Sequence, residues 1–127
     1  MTEDQFRKLA LGMPEAVEGS HMGHPDFRAG GPKGKIFATL FWLEEPEGDV
    51  DCAMVKLTPE EQGAFIKKLQ RVFAPIKGAW GKQGCTQVRL DAVTKAGVPQ
   101  VRRAIDAAWR NAAPKRLLDG IEPADGG

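Results

Sequence analysis

Proline and glycine divide this chain of 127 residues into segments whose apolar residues repeat with either helical or strand spacing. This division constrains the fold more than any other sequence feature, because a segment with helical spacing cannot bury one apolar face as a strand. Helical spacing begins after Thr2 and ends at Pro14, returns after Thr58, and occurs a third time between Thr94 and Pro114. We therefore expect three helices separated by segments of strand character.

Start and stop signals predict the bounds of these helices. Thr2 and Thr58 are each followed three residues later by Gln or Glu, which predicts a capping box at both helix starts. We expect the second helix to end at Pro75 and the third to begin between Thr94 and Pro99. The apolar stripe expected on the second helix consists of Phe65, Leu69, Val72 and Phe73. The apolar face expected on the third helix consists of Val98, Val101, Ile105, Ala108, Trp109 and Ala112.

The segments between the helices predict strands. Residues 27–29, 35–43 and 51–57 are extended, rich in β-formers or alternating, and the glycines and prolines between them predict short turns. Cys85 to Leu90 also alternates between two faces, and it follows a predicted turn from Trp80 to Gly84.

The order of these elements predicts the fold class: helix, three or four strands, helix, one or two strands, helix. Adjacent strands joined by short turns favour an antiparallel sheet, and helices in blocks favour an α+β fold with the helices packed on one face of that sheet. The length fits a single domain, which we place at residues 1–117. Residues 118–127, which contain glycine and proline, are expected to form a disordered tail.

The cellular setting is predicted from targeting signals and from the cysteines. Residues 2–6 lack the basic start and apolar core of a signal peptide, so we expect a cytoplasmic protein. No apolar run approaches the ~18 residues of a membrane span, so we expect no membrane partner. Cys52 and Cys85 are the only cysteines, and we expect both to be free, small core residues.

The net charge of +1 conceals a division between the two halves of the chain. Residues 1–64 hold 6 basic and 12 acidic side chains, a net charge of −6, whereas residues 65–127 hold 12 basic and 5 acidic side chains, a net charge of +7. Such a division suggests an anionic partner for the C-terminal half. An acidic turn from Glu44 to Asp51 lies in the other half.

Many basic residues lie off the predicted apolar stripes of the second and third helices, and others lie in the turn and strand between them. The nucleic-acid-binding residues that we predict are Lys67, Lys68, Arg71, Lys82, Arg89, Arg102, Arg103 and Arg110. No base-reading motif is present, so binding would depend on phosphate contacts and have weak sequence specificity. The alternative interpretation is that these are solvated helix faces without a ligand.

Two histidines, His21 and His24, are the remaining candidates for a site. Their spacing is compatible with a metal or small-molecule site, with Asp26 or Cys52 as a third metal ligand, but it also fits a structural or surface pair. Ser20, His21 and Asp26 have the residue types of a hydrolytic triad, but a nucleophile elbow is missing and residues this close in sequence rarely converge. We therefore expect no catalytic residues, no metal and no cofactor.

A series of short motifs, in a fixed order, points to a family. The motifs are Leu9-Ala10-Leu11, Met13-Pro14-Glu15-Ala16, Gly23-His24-Pro25-Asp26-Phe27-Arg28, Lys35-Ile36-Phe37-Ala38, Val55-Lys56-Leu57-Thr58-Pro59-Glu60, Gly78-Ala79-Trp80-Gly81, Thr86-Gln87-Val88-Arg89-Leu90, Ala107-Ala108-Trp109-Arg110 and Ala113-Pro114-Lys115. Together they resemble the MmcQ/YjbR family from Phe6 to Leu117. Two departures are an inserted Pro32-Lys33 and the pair Gly97 and Pro99, which we expect to shorten the last helix.

The resemblance implies a small bacterial cytoplasmic α+β domain, with a fold similar to that of secretion chaperones. Members of the family are commonly described as DNA-binding through a double-wing arrangement, and the family has no agreed reaction or cofactor. The leading hypothesis is therefore a non-enzymatic, weakly sequence-specific DNA-binding domain. One alternative is a protein-interaction module whose basic surface meets an acidic partner, or the acidic turn of a second copy. The other is a metal or small-molecule site at His21 and His24.

Overall fold

A computed structural model describes residues 1–119, in which the chain forms five helices and six strands. In chain order they are α1 (Glu3–Leu11), β1 (Ala16–His21), β2 (His24–Ala29), β3 (Lys35–Leu43), β4 (Val50–Lys56), α2 (Pro59–Lys68), β5 (Phe73–Pro75), α3 (Ala79–Lys82), β6 (Cys85–Arg89), α4 (Val98–Ala112) and α5 (Lys115–Leu118). Two 3-10 turns, Leu90–Ala92 and Lys95–Gly97, connect β6 to α4.

The strands form one antiparallel sheet in the order β1-β2-β3-β4-β6-β5. This confirms the α+β fold with an antiparallel sheet, with four strands before α2 and two after it. Strand β1 was not predicted, because Glu18, Gly19 and Ser20 interrupt any apolar alternation. It is an edge strand, so its pairing with β2 does not require an apolar face.

Both predicted capping boxes are present. The Thr2 hydroxyl accepts from the Gln5 N–H at 3.1 Å, and the Gln5 side chain accepts from the Thr2 N–H at 2.8 Å. Thr58 and Glu61 repeat this exchange at 3.2 and 2.9 Å. Each cap stabilises its helix start by about 1 kcal/mol, because it satisfies backbone donors that have no partner within the helix.

The prediction for the second helix is wrong beyond Lys68. Leu69 leaves the helical conformation with φ of −139°, and Phe73–Pro75 forms β5, in which Phe73 pairs with Val88 of β6. Pro75 is accommodated because β5 is an edge strand, where a missing N–H donor is tolerated. Pairing with β6 has therefore overridden the helical spacing of this segment.

Two smaller expectations also need correction. The turn predicted at Trp80 contains the short helix α3. Gly97 and Pro99 do not shorten the last helix: α4 has 15 residues, with Gly97 as its N-cap and a proline in its first turn. A proline costs nothing there, because the N–H groups of the first turn have no partner within the helix.

One face of the sheet is covered by α1, α2 and α4, as expected from their apolar faces. Phe6 of α1 and Ile105 of α4 are buried against sheet residues that include Leu40 and Val88. The Trp109 Nε1–H of α4 donates to the Pro14 carbonyl at 3.0 Å and so ties α4 to the segment after α1. The opposite face of the sheet is free of these three helices and holds one of the sites described below.

An irregularity between β2 and β3 shapes that opposite face. Phe27 pairs with Ala38 but Arg28 pairs with Ile36, so Phe37 is an extra residue in β3. Such a bulge shifts the alternation by one residue, which places Ile36 on the side away from the core.

Several sequence expectations concern the ends and the cysteines. Leu118, where we expected a disordered tail to begin, is the last residue of α5. Residues 120–127 lie outside the described part, so the domain bounds stay a prediction.

Cys52 and Cys85 are free and buried, as expected. Within residues 1–119, no helix has the length and apolar character needed to cross a membrane.

Candidate functional site

Helices α2 and α4, which hold most of the predicted binding residues, lie side by side and run antiparallel. At one end, a Cβ placed on Gly97 would lie 3.4 Å from Leu69 Cδ1. At the other end, Asn111 Nδ2 of α4 donates to Glu61 Oε1 of α2 at 2.8 Å. The C-terminus of α2 and the N-terminus of α4 therefore lie at the same end of the helical layer.

The structure brings five of the predicted binding residues to this end. Lys67, Lys68 and Arg71 are exposed and line a shallow depression beside the segment that precedes α4. Arg102 and Arg103 are exposed on α4, about 6–8 Å along the helix axis from its first residue. None of the five has an ion-pair partner within residues 1–119. We call these five residues the basic ridge.

Lys82 and Arg110 lie away from the basic ridge. Lys82 is exposed on α3, which contacts the N-terminal half of α2 through a hydrogen bond of 3.0 Å from Gln62 Nε2 to the Gly81 carbonyl. Arg110 is in the last turn of α4 and pairs with Asp106, one turn earlier, at 3.0 Å.

Arg89 lies on the opposite face of the sheet from the helices. Its guanidinium donates to Glu45 Oε1 at 2.7 Å and to Asp91 Oδ1 at 2.9 Å. The hydrogen bond from Arg89 lowers the pKa of Glu45, and its positive charge adds to the effect. Because two carboxylates match its charge, Arg89 contributes little to the positive potential of the surface.

A second candidate site, on this opposite face, is built by the β1–β2 hairpin. Met22 and Gly23 form its turn with positive φ angles of 49° and 80°. His21 Nδ1 lies 2.9 Å from Asp26 Oδ2, and Arg28 Nε donates to Asp26 Oδ1 at 2.9 Å. The Asp26 side chain is 0% exposed, so a fully buried carboxylate orients both groups.

The expectation that neighbouring residues of this segment would not converge is wrong for His21 and Asp26. In the hairpin, His21 pairs with His24 and Gly19 pairs with Asp26, so His21 and Asp26 are diagonal neighbours on one face. Gly19 leaves room for the contact, since a Cβ there would lie 3.0 Å from Asp26 Oδ1. Ser20 alternates to the other face and does not join them.

The protonation of Asp26 follows from its partners. Burial by itself would raise the pKa of this carboxyl, but hydrogen bonds from Arg28 and His21, with their charges, outweigh it and hold the pKa below its ordinary value. Asp26 is therefore ionised at neutral pH and balanced by Arg28. The ring of His21 is held through Nδ1, and 43% of its side chain is exposed.

His21 also borders a groove of about 370 Å³ that crosses this face of the sheet. The groove begins at His21 and His24 and ends at Lys56, Cys85 and Trp80. Its floor consists of Ile36, Thr39, Phe41, Met54 and Ile76. Apolar side chains thus form most of the floor, and the polar groups are concentrated at the two ends.

The histidines do not assemble a metal centre in the described part of the chain. Within residues 1–119, no group of three or more His, Cys, Asp or Glu side chains could hold a metal ion. The His24 ring packs instead against Trp42, with ring centroids 5.2 Å apart. His24 Nδ1 is buried and finds no hydrogen-bond partner among those residues.

Sequence reasoning missed Lys56 as a candidate binding residue. Its side chain lines the groove and forms no ion pair within residues 1–119. Lys56 pairs with Cys85 across β4 and β6, and its charge lowers the pKa of the Cys85 thiol, although burial, the larger effect, raises that pKa. The signal was available in β4, where this lysine follows Cys52 and Met54 on one face of a largely buried strand.

Comparisons with known proteins agree with this architecture. A family model described as YjbR matches residues 11–111. A crystal structure of a structural-genomics target from Pseudomonas syringae is similar to this chain with a TM-score of 0.67 and 18% identity, covering 88% of this chain and 99% of that one. At this identity the similarity concerns the fold alone. No curated protein sequence matches the chain.

Proposed function

This chain belongs to the YjbR family, and from that premise we propose that it is a non-enzymatic, cytoplasmic DNA-binding domain with weak sequence specificity. The observation that supports the proposal is the basic ridge: five exposed cations at one end of the helical layer, none of them in an ion pair within residues 1–119. Free, reduced cysteines suit a cytoplasmic protein.

The N-terminus of α4 strengthens the positive potential of the basic ridge. The N-cap is Gly97, which provides no side-chain hydrogen bond, and α4 is the longest helix of the described part. The positive end of the α4 macrodipole therefore lies beside Lys67 and Arg71. Helix N-termini of this kind favour phosphate groups, so duplex backbone contacts are the interaction that this end suits best.

The arrangement suits phosphate contacts better than base contacts. Lysine and arginine side chains that are distributed over the ends of two helices can contact the phosphate backbone of a duplex. Base reading requires instead an element that is inserted into a groove of the DNA. We therefore expect similar affinity for duplexes of different sequence. Affinity should fall steeply with salt, with a slope of up to about −4.5 for log K against log salt if all five cations contact phosphates.

The test is a fluorescence-anisotropy titration of a labelled 20-base-pair duplex at several NaCl concentrations. The variant Arg102→Glu/Arg103→Glu should weaken binding and move the salt slope toward zero by about 2, since two phosphate contacts are lost. A matched control is Lys8→Glu/Lys33→Glu, which changes the net charge by the same amount at exposed positions outside the basic ridge. Absence of binding at low salt, or equal losses in both variants, would reject the proposal.

The same samples distinguish the protein-interaction alternative. Glu44, Glu47, Asp49 and Asp51 are exposed in and after the β3–β4 turn and have no ion-pair partner within residues 1–119. If the basic ridge instead meets this acidic turn in a second copy, sedimentation velocity should show oligomers at low salt that dissociate at high salt. Oligomers without DNA affinity would favour that alternative over DNA binding.

A further inference from the structure

The groove on the sheet face opposite the helices combines an apolar floor with a single unmatched charge. Ile36, Phe41 and Met54 contribute apolar surface from three positions on β3 and β4. Lys56 is the cation at one end and forms no ion pair within residues 1–119. An apolar depression with one uncompensated ammonium favours an apolar molecule with one negative charge.

Two other cations of this face, Arg28 and Arg89, are already paired with carboxylates of the protein. Arg28 donates from Nε and Nη2 to Asp26 at 2.9 and 3.1 Å, and from Nη1 to the Pro32 carbonyl at 2.8 Å. All three of its nitrogens are therefore engaged within the protein. Within residues 1–119, Lys56 is the one lysine or arginine that lines the groove, so a singly charged head group fits better than a phosphate or another doubly charged group.

The dimensions of the groove limit the length and the width of the apolar part of the ligand. From Lys56 on β4 to His24 on β2 the groove runs diagonally over two strand spacings and four residues along the strands, or about 16 Å at about 4.8 Å for each spacing and about 3.3 Å for each residue. Spread over that length, the volume of about 370 Å³ leaves a narrow channel. Its average cross-section of roughly 20 Å² matches one alkyl chain, whose carbons contact their neighbours at about 4 Å.

We propose that this groove binds a straight-chain fatty carboxylate, with its carboxylate on Lys56 and its alkyl chain directed over Met54 and Phe41 toward His24. A methylene group takes up about the volume of a water molecule, about 30 Å³, so roughly twelve carbons fill the groove. The site lies on the opposite side of the sheet from the basic ridge and is independent of DNA binding.

Isothermal titration calorimetry of the full chain with saturated carboxylates of six to sixteen carbons, below their micelle concentrations, tests the proposal. Each added methylene should strengthen binding by about three- to fourfold, and the gain should stop near twelve to fourteen carbons. Dodecanol should bind at least tenfold more weakly than dodecanoate, because it lacks the charge that Lys56 pairs with. A continuing gain up to sixteen carbons, or equal affinity for the alcohol, would overturn the proposal.

Two variants separate the head-group contact from general charge effects. Lys56→Met keeps the length of the side chain and should abolish the preference for dodecanoate over dodecanol. Lys8→Met removes the same charge from an exposed position on α1, on the other side of the sheet, and should leave that preference intact. A loss of preference in both variants, or in neither, would exclude Lys56 as the carboxylate partner.

A third variant and a spectroscopic readout test whether the alkyl chain of the ligand lies in the groove. Met54→Asp places a carboxylate on the apolar floor and should abolish dodecanoate binding, because it removes apolar surface and repels the head group. Trp80 lines the groove and is 64% exposed, so dodecanoate should change tryptophan fluorescence in the wild type. The Arg102→Glu/Arg103→Glu variant should bind dodecanoate normally, which distinguishes a failure of this proposal from a failure of DNA binding.

Discussion

His21 Nδ1 and Asp26 Oδ2 are 2.9 Å apart because the turn between β1 and β2 contains only two residues. A longer turn would change the register, and a shift of one residue would place one of the two side chains on the other face of the sheet. The contact therefore depends on a local backbone conformation, whereas its strength depends on the burial of Asp26 and on Arg28.

Replacement of the buried carboxylate should destabilise the domain. In Asp26→Asn the charge of Arg28 loses its partner, and we expect a loss of about 2–3 kcal/mol in the free energy of unfolding. The expected loss is at or below the usual loss of stability on breaking a buried ion pair, because the Arg28 side chain is 27% exposed and retains water contact. Urea unfolding measures the change. Asp91→Asn removes an exposed partner of Arg89 and should cost less than about 1 kcal/mol.

The same carboxylate should give the domain an acid-sensitive component of stability. The pKa of Asp26 in the folded state lies below its ordinary value of 3.8. The contribution of ionised Asp26 to the free energy of unfolding is fully present above pH 3.8, the ordinary pKa. It is lost as the pH falls through the lower pKa that Asp26 has in the folded protein. The difference in unfolding free energy between wild type and Asp26→Asn should therefore be constant at higher pH and shrink below 3.8. A difference that grows toward acid would contradict the assignment.

The turn residue Met22 should be replaceable with a gain in stability. Its φ angle of 49° lies in the left-handed region, and its side chain is 93% exposed. Two-residue turns with positive φ at both positions favour Asn followed by Gly. Met22→Asn should therefore stabilise the domain by about 0.5–1 kcal/mol, seen as a rise in Tm of a few degrees by calorimetry. A lower Tm would show that Met22 makes a stabilising contact.

The two thiols should be unreactive in the folded protein. Burial raises the pKa of Cys52 to about 11, and burial also raises the pKa of Cys85. At pH 8 roughly one Cys52 in a thousand is a thiolate, which is the reactive form. Reaction with Ellman's reagent should therefore be slow at pH 8 and become complete in urea. Fast labelling of Cys85 alone would indicate that the groove end at Lys56 opens readily.

The parts of the fold that were predictable are those set by local sequence. Capping at Thr2 and Thr58 and the apolar face of α4 are local signals, and the structure follows them. The end of α2 was not predictable, because the spacing of Leu69 and Phe73 fits a helix as well as it fits a strand. Pairing of Phe73 with Val88, a contact distant in sequence, decides between them.

The candidate sites also have features that were predictable from local sequence and features that were not. Helical spacing shows that Lys67 and Arg102 face away from the core, and the structure agrees. Spacing does not show which cations are neutralised, because Arg89 meets Glu45, a residue 44 positions away. The groove was not predictable because it depends on strand order, which places His24 and Lys56 at its opposite ends.

Two glycine substitutions should change stability in opposite directions. Gly84 has φ of +110°, and a Cβ there would lie 2.0 Å from the Leu57 carbonyl oxygen, so Gly84→Ala should cost about 3 kcal/mol or more. Gly63 lies within α2, and a Cβ there would meet nothing within 4 Å. Gly63→Ala should stabilise the domain by about 0.5–1 kcal/mol, because alanine loses less backbone freedom on folding. Urea midpoints of both variants against the wild type measure the contrast. Equal effects would mean that the turn before β6 relaxes around the new methyl group.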